Sequence, residues 1–350
     1  FYTFQTLSYT IDVYKRKLEP TKDFIAFTAF VSFFPQLVAG PIERATNLLP
    51  QFYKKRTFEY DKAVDGLRQI LWGLFKKIVI ADNSAKIANE IFNNSADYSG
   101  STLVLGAIFF TFQIYGDFSG YSDIAIGTSR LFGFNLKRNF AFPYFSRDIA
   151  EFWRRWHISL STWFRDYLYI PLGGSRGGTW MKVRNTFIIF IVSGFWHGAN
   201  WTFLVWGALN ALYFLPLLLL NKNRTNTDTV AQGKYLPSFK EFFQIGITFS
   251  LTIFAWIFFR AENIGHAWTY LSTIFSKSLF TIPYYSGMKM PMLLILLFVF
   301  IEWMGREGEY AIENLKNNFN PIIRWLFYLF LIILIGLYKG ENQEFIYFQF

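Results

Sequence analysis

The stretch TFIIFIVSGFWHGANWTFLVWGALNALYFLPLLLL, residues 186–220, contains no Asp, Glu, Lys or Arg. Its 35 residues exceed the about 20 that a helix needs to cross a bilayer. His197 lies roughly 16 Å along a helix from Thr186, near mid-depth of a bilayer about 30 Å thick, and is the side chain of this stretch that titrates near neutral pH. The stretch therefore predicts a membrane protein and raises the question of why it contains a histidine.

The composition also supports a membrane protein. The chain has 350 residues, of which 53% are hydrophobic and 22% aromatic, far more aromatic than an ordinary soluble domain. Several apolar runs are shorter than a full span, which favours short, tilted or re-entrant helices shielded by protein. The prediction is an all-α, polytopic transmembrane bundle with apolar runs at residues 24–38, 102–115, 186–220, 242–259, 291–303 and 322–338.

The absence of cysteine and the excess of positive charge exclude several functions. Without cysteine the chain has no disulfide, no thiolate metal site and no cysteine nucleophile, and we expect no metal. The net charge of +10 comes from basic residues in short loops beside apolar runs, which the positive-inside rule explains better than nucleic-acid binding does. We therefore expect the lipid bilayer, and not nucleic acid, as a partner.

The organisation of the chain predicts one domain. Residues 1–350 show no repeat and no soluble region, so we expect a single transmembrane domain. Phe1 opens an apolar segment that ends at a basic stop, residues 15–17, which suggests that N-terminal helices are missing. Residues 221–240 are polar and broken by glycine and proline, which predicts a mobile loop between two membrane halves.

Residues 146–167, SRDIAEFWRRWHISLSTWFRDY, have the periodicity of one amphipathic helix. Ser146 is the predicted N-cap, and Glu151 lies four residues before Arg155, a spacing at which the two side chains pair. The aromatic face fits the headgroup belt of a membrane, with the arginines in water. His157 lies at the edge of that face, next to Ser161, Arg154 and Arg165.

The glycine-rich GGSRG, residues 173–177, matches the G-x-S-x-G nucleophile elbow in its letters only. That elbow needs a strand before the serine and a helix directly after it, whereas the following GGTWMK is a poor helix start. We favour a glycine-rich interfacial loop in which Arg176 meets a phosphate.

The stretch FQIYGDFSGYSDIAIG, residues 112–127, places Asp117 and Asp123 directly after an apolar run. Carboxylates inside a membrane are costly and usually face a bundle interior or a water-filled cavity, so Asp117 is a candidate for substrate contact. The alternative is that both carboxylates mark a loop outside the bilayer.

His197 has two interpretations. Gly194 and Gly198 let backbones approach closely, and Asn200 and Trp196 offer polar groups nearby. A structural histidine that bonds a neighbouring helix fits this pattern. A general base fits it too, because burial keeps an imidazole neutral and ready to accept a hydroxyl proton.

Four stretches together resemble the bacterial alginate O-acetylase branch of the membrane-bound O-acyltransferase family: YGDFSGYSDIAIG, FWRRWHISLSTWFRDYLYIPLGG, SGFWHGANWTFLVWG and the C-terminal FIYFQF. They run in order through essentially the whole chain. The resemblance implies a bundle with a central tunnel that passes an acetyl group from a cytoplasmic thioester toward an extracytoplasmic glycan. The family's principal histidine, in its W-H-G element, falls on His197, and its second histidine falls on His157.

The resemblance also implies roles for single residues. His197 is the expected base. The thioester carbonyl is then oriented by His157, by Asn200 or by an indole N–H such as that of Trp196. An acyl-enzyme on His197 or Ser161 stays open as an alternative to direct transfer. The donor phosphates are expected on arginines at the cytoplasmic mouth: Arg154, Arg155, Arg165 and Arg176.

The partners follow from the same resemblance. It implies acetyl-CoA as the donor, no bound cofactor, and an acceptor such as an alginate-like exopolysaccharide or peptidoglycan. It further implies a periplasmic or secreted acetylesterase-like partner protein and a multi-pass location in the cell inner membrane. The competing interpretations are a transporter or flippase with a His/Asp proton relay and a scaffold without chemistry. A transporter predicts paired repeats with interrupted helices, which this sequence lacks.

Overall fold

A computed structural model describes residues 2–339, 343, 345 and 346, without the side chains of Asn317 and Asn318. Within these residues the chain is helical and has no β-strand, which confirms the all-α prediction. Two π-helical segments, Phe75–Ala81 and Arg165–Tyr169, continue the fourth and eighth helices. The α-helices in chain order are α1 (Tyr2–Tyr14), α2 (Phe24–Val31), α3 (Ala45–Tyr53), α4 (Tyr60–Leu74), α5 (Asp82–Asn93), α6 (Gly100–Leu131), α7 (Ile149–Arg155), α8 (Ile158–Phe164), α9 (Gly178–His197), α10 (Trp201–Leu219), α11 (Phe239–Arg260), α12 (Ile264–Ile274), α13 (Lys289–Gly305), α14 (Leu315–Asn318) and α15 (Pro321–Leu337).

Three helices of the described chain are long and apolar enough to cross a membrane: α6, α10 and α11. α6 is the centre of the bundle, because 89% of its most apolar window is buried by protein. The corresponding windows of α10 and α11 are only 39% and 33% buried, which leaves their other faces open to lipid. The central helix therefore needs partners for its polar groups within the protein itself.

The antiparallel packing of α4 on α6 depends on glycines. A Cβ added to Gly66 would lie 2.6 Å from the carbonyl oxygen of Gly127, and one added to Gly73 would lie 2.6 Å from that of Gly120. On each helix the two glycines are seven residues apart, which is about two turns, so both contacts lie on the same face of the helix. The glycines of the YGDFSGYSDIAIG motif thus allow close contact between two backbones.

The π-helical segment after α4 turns two consecutive lysines toward α6. Lys76 Nζ lies 2.7 Å from a carboxylate oxygen of Asp123 and 3.6 Å from one of Glu302. Lys77 Nζ lies 2.7 Å from a carboxylate oxygen of Asp117. Both carboxylates of the motif therefore belong to the bundle interior, where a buried charge needs a paired partner, and not to an external loop.

The single helix predicted for residues 146–167 is wrong. The chain forms α7 and α8, with a break at Trp156 and His157, and His157 has a left-handed φ of 44°. Asn139 explains the break, because its backbone carbonyl accepts a hydrogen bond from Ile158 N–H at 2.8 Å. A partner distant in sequence thus satisfies the first donor of α8.

The start of α7 also differs from the prediction. Asp148, and not Ser146, is the N-cap, and its carboxylate accepts a hydrogen bond from Glu151 N–H at 2.7 Å. The predicted ion pair between Glu151 and Arg155 is present at 2.8 Å.

The uncharged stretch folds as a hairpin of α9 and α10 and not as one long span. His197 is the last residue of α9, and Asn200 caps α10 by accepting a hydrogen bond from Thr202 N–H at 3.1 Å. A Cβ at Gly194 or Gly207 would collide with a carbonyl oxygen of the opposite helix. Close backbone contact in the hairpin therefore requires both glycines.

Arginines tie the polar segment between α10 and α11 to the bundle. Arg154 donates to the carbonyls of Asn223 and Asn226 at 2.7 and 2.6 Å. Arg147 pairs with Asp228 at 2.9 Å, and its hydrogen bond holds the pKa of that carboxyl below its usual range. Other carbonyls of the segment accept hydrogen bonds from Arg155 and Arg306. The mobility of residues 221–240 stays a prediction, and these contacts are what any movement has to break.

We predict that Gly127→Leu destabilises the fold and that Gly246→Leu does not. The added side chain at Gly127 meets the α4 backbone, and overpacking of this kind typically costs about 1–3 kcal/mol. Gly246 lies on α11 with no atom within 4 Å of an added Cβ, so it is the matched control. Thermal unfolding in detergent, followed by tryptophan fluorescence, measures both. Equal midpoints for the two variants would contradict the packing described here.

Candidate active site

His157 occupies the break between α7 and α8, with 2% of its surface exposed. Its Nδ1 lies 3.1 Å from Oδ1 of Asn139. The backbone N–H and the hydroxyl of Ser159 donate to the same oxygen at 3.3 and 2.9 Å, which requires the oxygen of the amide in this place. This network assigns the proton of His157 to Nδ1, so Nε2 is the nitrogen with the basic lone pair.

Asn139 connects three parts of the chain. It is fully buried, and its Nδ2 donates to Ser122 Oγ on α6 at 3.1 Å. Ser159 Oγ in turn accepts a hydrogen bond from Ile42 N–H at 3.0 Å. Because these groups are buried, the loss of one partner would leave others unsatisfied. Asn139 thereby fixes both the tautomer and the position of His157.

His197 ends α9 and is partly buried among aromatic rings. Its ring centroid lies 4.8 Å from that of Trp196, 5.3 Å from that of Trp206 and 5.0 Å from that of Phe259. These contacts are edge-to-face, the arrangement that aromatic rings prefer. They hold the imidazole at the end of the helix.

The two histidines line one cavity of about 20 Å³. Ser193, one turn before His197 on α9, is the lining residue with a hydroxyl group. No Asp, Glu, Lys or Arg lines this cavity. The remaining lining residues are apolar or aromatic: Ile114, Phe118, Trp153, Trp156, Leu160, Trp206, Trp256 and Phe259.

A second cavity, of about 410 Å³, is strongly basic. Arg44 in its wall lies 3.3 Å from Asp166 and 4.4 Å from the ring centre of Tyr167. The carboxylates of Asp12 and Asp166 offset only part of its positive charge. Its cationic lining residues are Lys15, Lys17, Arg44, Lys137, Arg138 and Arg165.

The start of α8 separates the two cavities. Ile158 and Ser159 line the basic cavity, whereas His157 and Leu160 line the small one. Neighbouring residues of one short helix therefore face both spaces. The structure shows two cavities at this point, and a continuous tunnel stays a prediction.

The predicted arginines do not form one group. Arg165 belongs to the basic cavity, but Arg154 and Arg155 hold the segment between α10 and α11. Arg176 is exposed in the turn before α9. Sequence reasoning missed Arg44, which lies far from the motifs, and Arg138, which lies between two of them, because both join the cavity only through the fold.

The other predicted site residues serve structural contacts in this arrangement. Asp117 pairs with Lys77 and accepts a hydrogen bond from Ile346 N–H at 2.7 Å. Asn200 caps α10 and donates to the Glu262 carbonyl at 2.7 Å. Trp196 packs on Phe4 as well as on His197, and Ser161 Oγ donates to the Trp156 carbonyl at 3.3 Å. In the C-terminal FIYFQF stretch, residues 347–350 lie outside the described residues.

Comparison with known proteins gives a consistent result. Residues 14–259 match the model of the MBOAT, membrane-bound O-acyltransferase family. The chain is 44% identical over 276 residues to the probable alginate O-acetylase AlgI of Pseudomonas aeruginosa. The matched region covers 79% of this chain and 51% of that protein. It is 38% identical over 293 residues to the peptidoglycan O-acetyltransferase of Helicobacter pylori, covering 76% and 54%. It is 29% identical over 250 residues to the teichoic acid D-alanyltransferase of Bacillus subtilis, covering 68% and 61%. The chain spans about half the length of the first two relatives.

We predict that Asn139→Leu lowers the free energy of unfolding by about 1–3 kcal/mol, because it leaves the buried Ser159 N–H without an acceptor. Asn94→Leu is the control, since Asn94 is exposed and its side chain bonds the nearby Glu90. Denaturant titration in mixed micelles compares the two. A loss no larger than that of the control would show that the Asn139 side chain does not stabilise the start of α8.

Proposed function

Because the chain belongs to the membrane-bound O-acyltransferase family, we propose that it transfers an acetyl group from cytoplasmic acetyl-CoA toward hydroxyls of an extracytoplasmic polysaccharide. The observation that carries this proposal is the shared cavity: two histidines from separate helix ends line one uncharged space beside a basic cavity. Acyl transfer needs a base, stabilisation of a tetrahedral oxyanion and exclusion of water.

The distribution of charge supports the orientation. α9 begins and α10 ends at the same end of their hairpin, because the two helices are antiparallel and joined by a short turn. That end leads into the basic cavity at Arg165 and into the segment held by Arg154 and Arg155. By the positive-inside rule this end is cytoplasmic, and His197 lies toward the opposite side of the inner membrane.

The basic cavity is the proposed donor site. Acetyl-CoA carries phosphates on its nucleotide, and lysine and arginine side chains are the groups that bind phosphate in proteins. The donor is a substrate here, and no bound cofactor is part of the proposal. Because α8 separates the basic cavity from the histidines, the pantetheine arm of the donor would pass beside Ile158 and Ser159.

His197 is the proposed general base. The acceptor hydroxyl gives its proton to a ring nitrogen of His197 while its oxygen attacks the thioester carbonyl. The carbon–sulfur bond of the tetrahedral intermediate then breaks, and the leaving thiolate takes the proton from His197. The products are an acetyl ester and free CoA thiol, and the histidine returns to its neutral form.

His157 has a positioning role in this proposal. With its proton on Nδ1 and donated to Asn139, the other ring nitrogen accepts hydrogen bonds and does not donate them. It therefore suits the acceptor hydroxyl better than the thioester carbonyl, for which His157, Asn200 and an indole N–H were the alternatives. Ser193 is the proposed donor to the carbonyl oxygen, since it is the hydroxyl residue in the cavity wall.

The acceptor and the partner protein rest on the relatives. Two of these are named as acetylating alginate and peptidoglycan, which supports an acetyl group and an acceptor outside the cytoplasm. We propose an alginate-like exopolysaccharide or peptidoglycan as the acceptor. A periplasmic or secreted acetylesterase-like protein would complete the transfer to the polymer.

We predict that His197→Gln abolishes transfer and that His157→Gln keeps measurable activity. Glutamine retains hydrogen bonding but accepts no proton at neutral pH, and a general base contributes about 100- to 10,000-fold. Loss of one neutral hydrogen bond costs about 1 kcal/mol, or several-fold in rate. The two variants should therefore differ by at least about tenfold. Release of free CoA thiol by the purified full-length protein, with an acceptor sugar present, measures this difference.

His266→Gln is the matched control and should keep near-normal activity. His266 lies on α12, outside the cavity, and contacts Ser95 Oγ at 3.2 Å. Equal and mild defects in the His157 and His197 variants would refute His197 as the base, and the reversed order would assign the base to His157.

A further inference from the structure

We propose that Glu43 is a positioning residue for the donor site, because its buried carboxylate holds together the two chain segments that supply Arg44 and Arg138 to the basic cavity. Glu43 lies just before α3 with 1% of its surface exposed. The proposed reaction assigns it no chemical step. This inference rests on the proposed function and adds a residue on which the affinity for the donor depends.

The carboxylate of Glu43 accepts two hydrogen bonds from different parts of the chain. One oxygen accepts from the N–H of Lys137, in the connection between α6 and α7. The other accepts from Asn47 Nδ2, in the first turn of α3, at 2.5 Å. A carboxylate has two acceptor oxygens and no donor, so it satisfies both N–H groups at once. The two segments are thereby joined through one side chain.

The residues on either side of this contact line the basic cavity. Arg44 and Thr46 come from the first segment, and Lys137 and Arg138 come from the second. Glu43 does not line the cavity itself. Its contribution to donor binding therefore acts through the placement of its neighbours.

Electrostatic repulsion opposes this placement. The cavity gathers cationic side chains from both segments, and like charges repel one another within the space of one site. A fixed backbone contact between the segments keeps these cations at one spacing before the donor arrives. A polyvalent phosphate ligand then binds without the cost of ordering the site, which is how preorganisation raises affinity.

The Glu43 contact is separate from the hydrogen bonds that place His157. Ile42 N–H donates to Ser159 Oγ at 3.0 Å, and Ser159 Oγ donates to Asn139 Oδ1 at 2.9 Å. The carboxylate of Glu43 takes no part in these bonds. We therefore expect its loss to weaken donor binding and to leave the chemical step largely unchanged, which is observed as a higher KM at a similar kcat.

The test measures the Kd for CoA by calorimetry and the KM for acetyl-CoA by thiol release, both with the purified full-length protein. Glu43→Leu removes both acceptor oxygens and should raise both constants by about tenfold or more, since hydrogen bonds to a charged group are among the strong ones, with kcat within about threefold. Glu43→Gln keeps an oxygen that accepts from Lys137 N–H and should restore most of the affinity.

Gln51→Leu is the matched control. Gln51 joins the same two segments, since its side chain donates to the Asn135 carbonyl at 3.0 Å and accepts from Asn135 N–H at 2.8 Å. Neither of these residues lines the basic cavity. The control should keep the Kd and the KM of the unmodified protein.

Asn47→Leu keeps the proposal testable if Glu43→Leu does not fold. It removes one of the two hydrogen bonds to the carboxylate and should raise the Kd for CoA several-fold.

The outcomes separate the two proposals. A folded Glu43→Leu or Asn47→Leu protein that binds CoA as tightly as the unmodified protein would overturn this inference and leave the proposed function intact. A Glu43→Gln protein as weak as Glu43→Leu would also overturn it, because charge and not position would then be responsible. An equal rise in the Kd of the Gln51 control would do the same. Absence of both CoA binding and thiol release in the unmodified protein would refute the proposed function itself.

Discussion

The hydrogen bonds of Asn139 are the constraint on which the proposed site depends. Its carbonyl and its side chain satisfy the donors at the start of α8, and this allows the helix predicted across residues 146–167 to break at His157. Without an acceptor from another part of the chain, those N–H groups would be satisfied at lower free energy by continuing the helix. The break places His157 in the cavity wall, and the side-chain oxygen of Asn139 selects the tautomer.

A second helix end completes the site. α9 stops at His197, and its close contact with α10 through Gly194 and Gly207 fixes where that end lies. The central helix α6 supplies Ile114 and Phe118 to the cavity wall between the histidines. α6 is itself held by close glycine contacts and by the lysine–carboxylate pairs of the π-helical segment. Interactions that look purely structural therefore determine how the two imidazoles face one space.

Hydropathy predicted much of the fold, because apolar runs report directly on burial in lipid or protein. The runs at residues 242–259, 291–303 and 322–338 correspond to α11, α13 and α15. The two histidines were also identified from the sequence, and the structure brings them together. The break at His157 was not predicted, since the partner that causes it, Asn139, lies 18 residues earlier in a segment outside any helix.

Side-chain roles were harder to predict than helices. Arg154 and Arg155 have the composition of a phosphate site, but they bond a loop about 70 residues away in sequence, as the separations of 69 and 73 residues show. Arg44 reaches the basic cavity from a region without any motif, and Arg138 reaches it from the connection between residues 127 and 146. The contact between Asp117 and Lys77 was not predicted, because the sequence gives no sign that the two side chains would face each other, and a substrate contact at Asp117 stays a prediction. In each case the partner is set by tertiary packing, which local periodicity does not encode.

The content of base-labile acetate on purified envelope glycans tests the central claim most directly. It is measured in cells lacking the gene and in the same cells carrying either the natural gene or the His197→Gln form. The account predicts that deletion removes the acetate from one surface glycan, that the natural gene restores it and that the variant does not. Unchanged acetate on every envelope glycan after deletion would contradict the account.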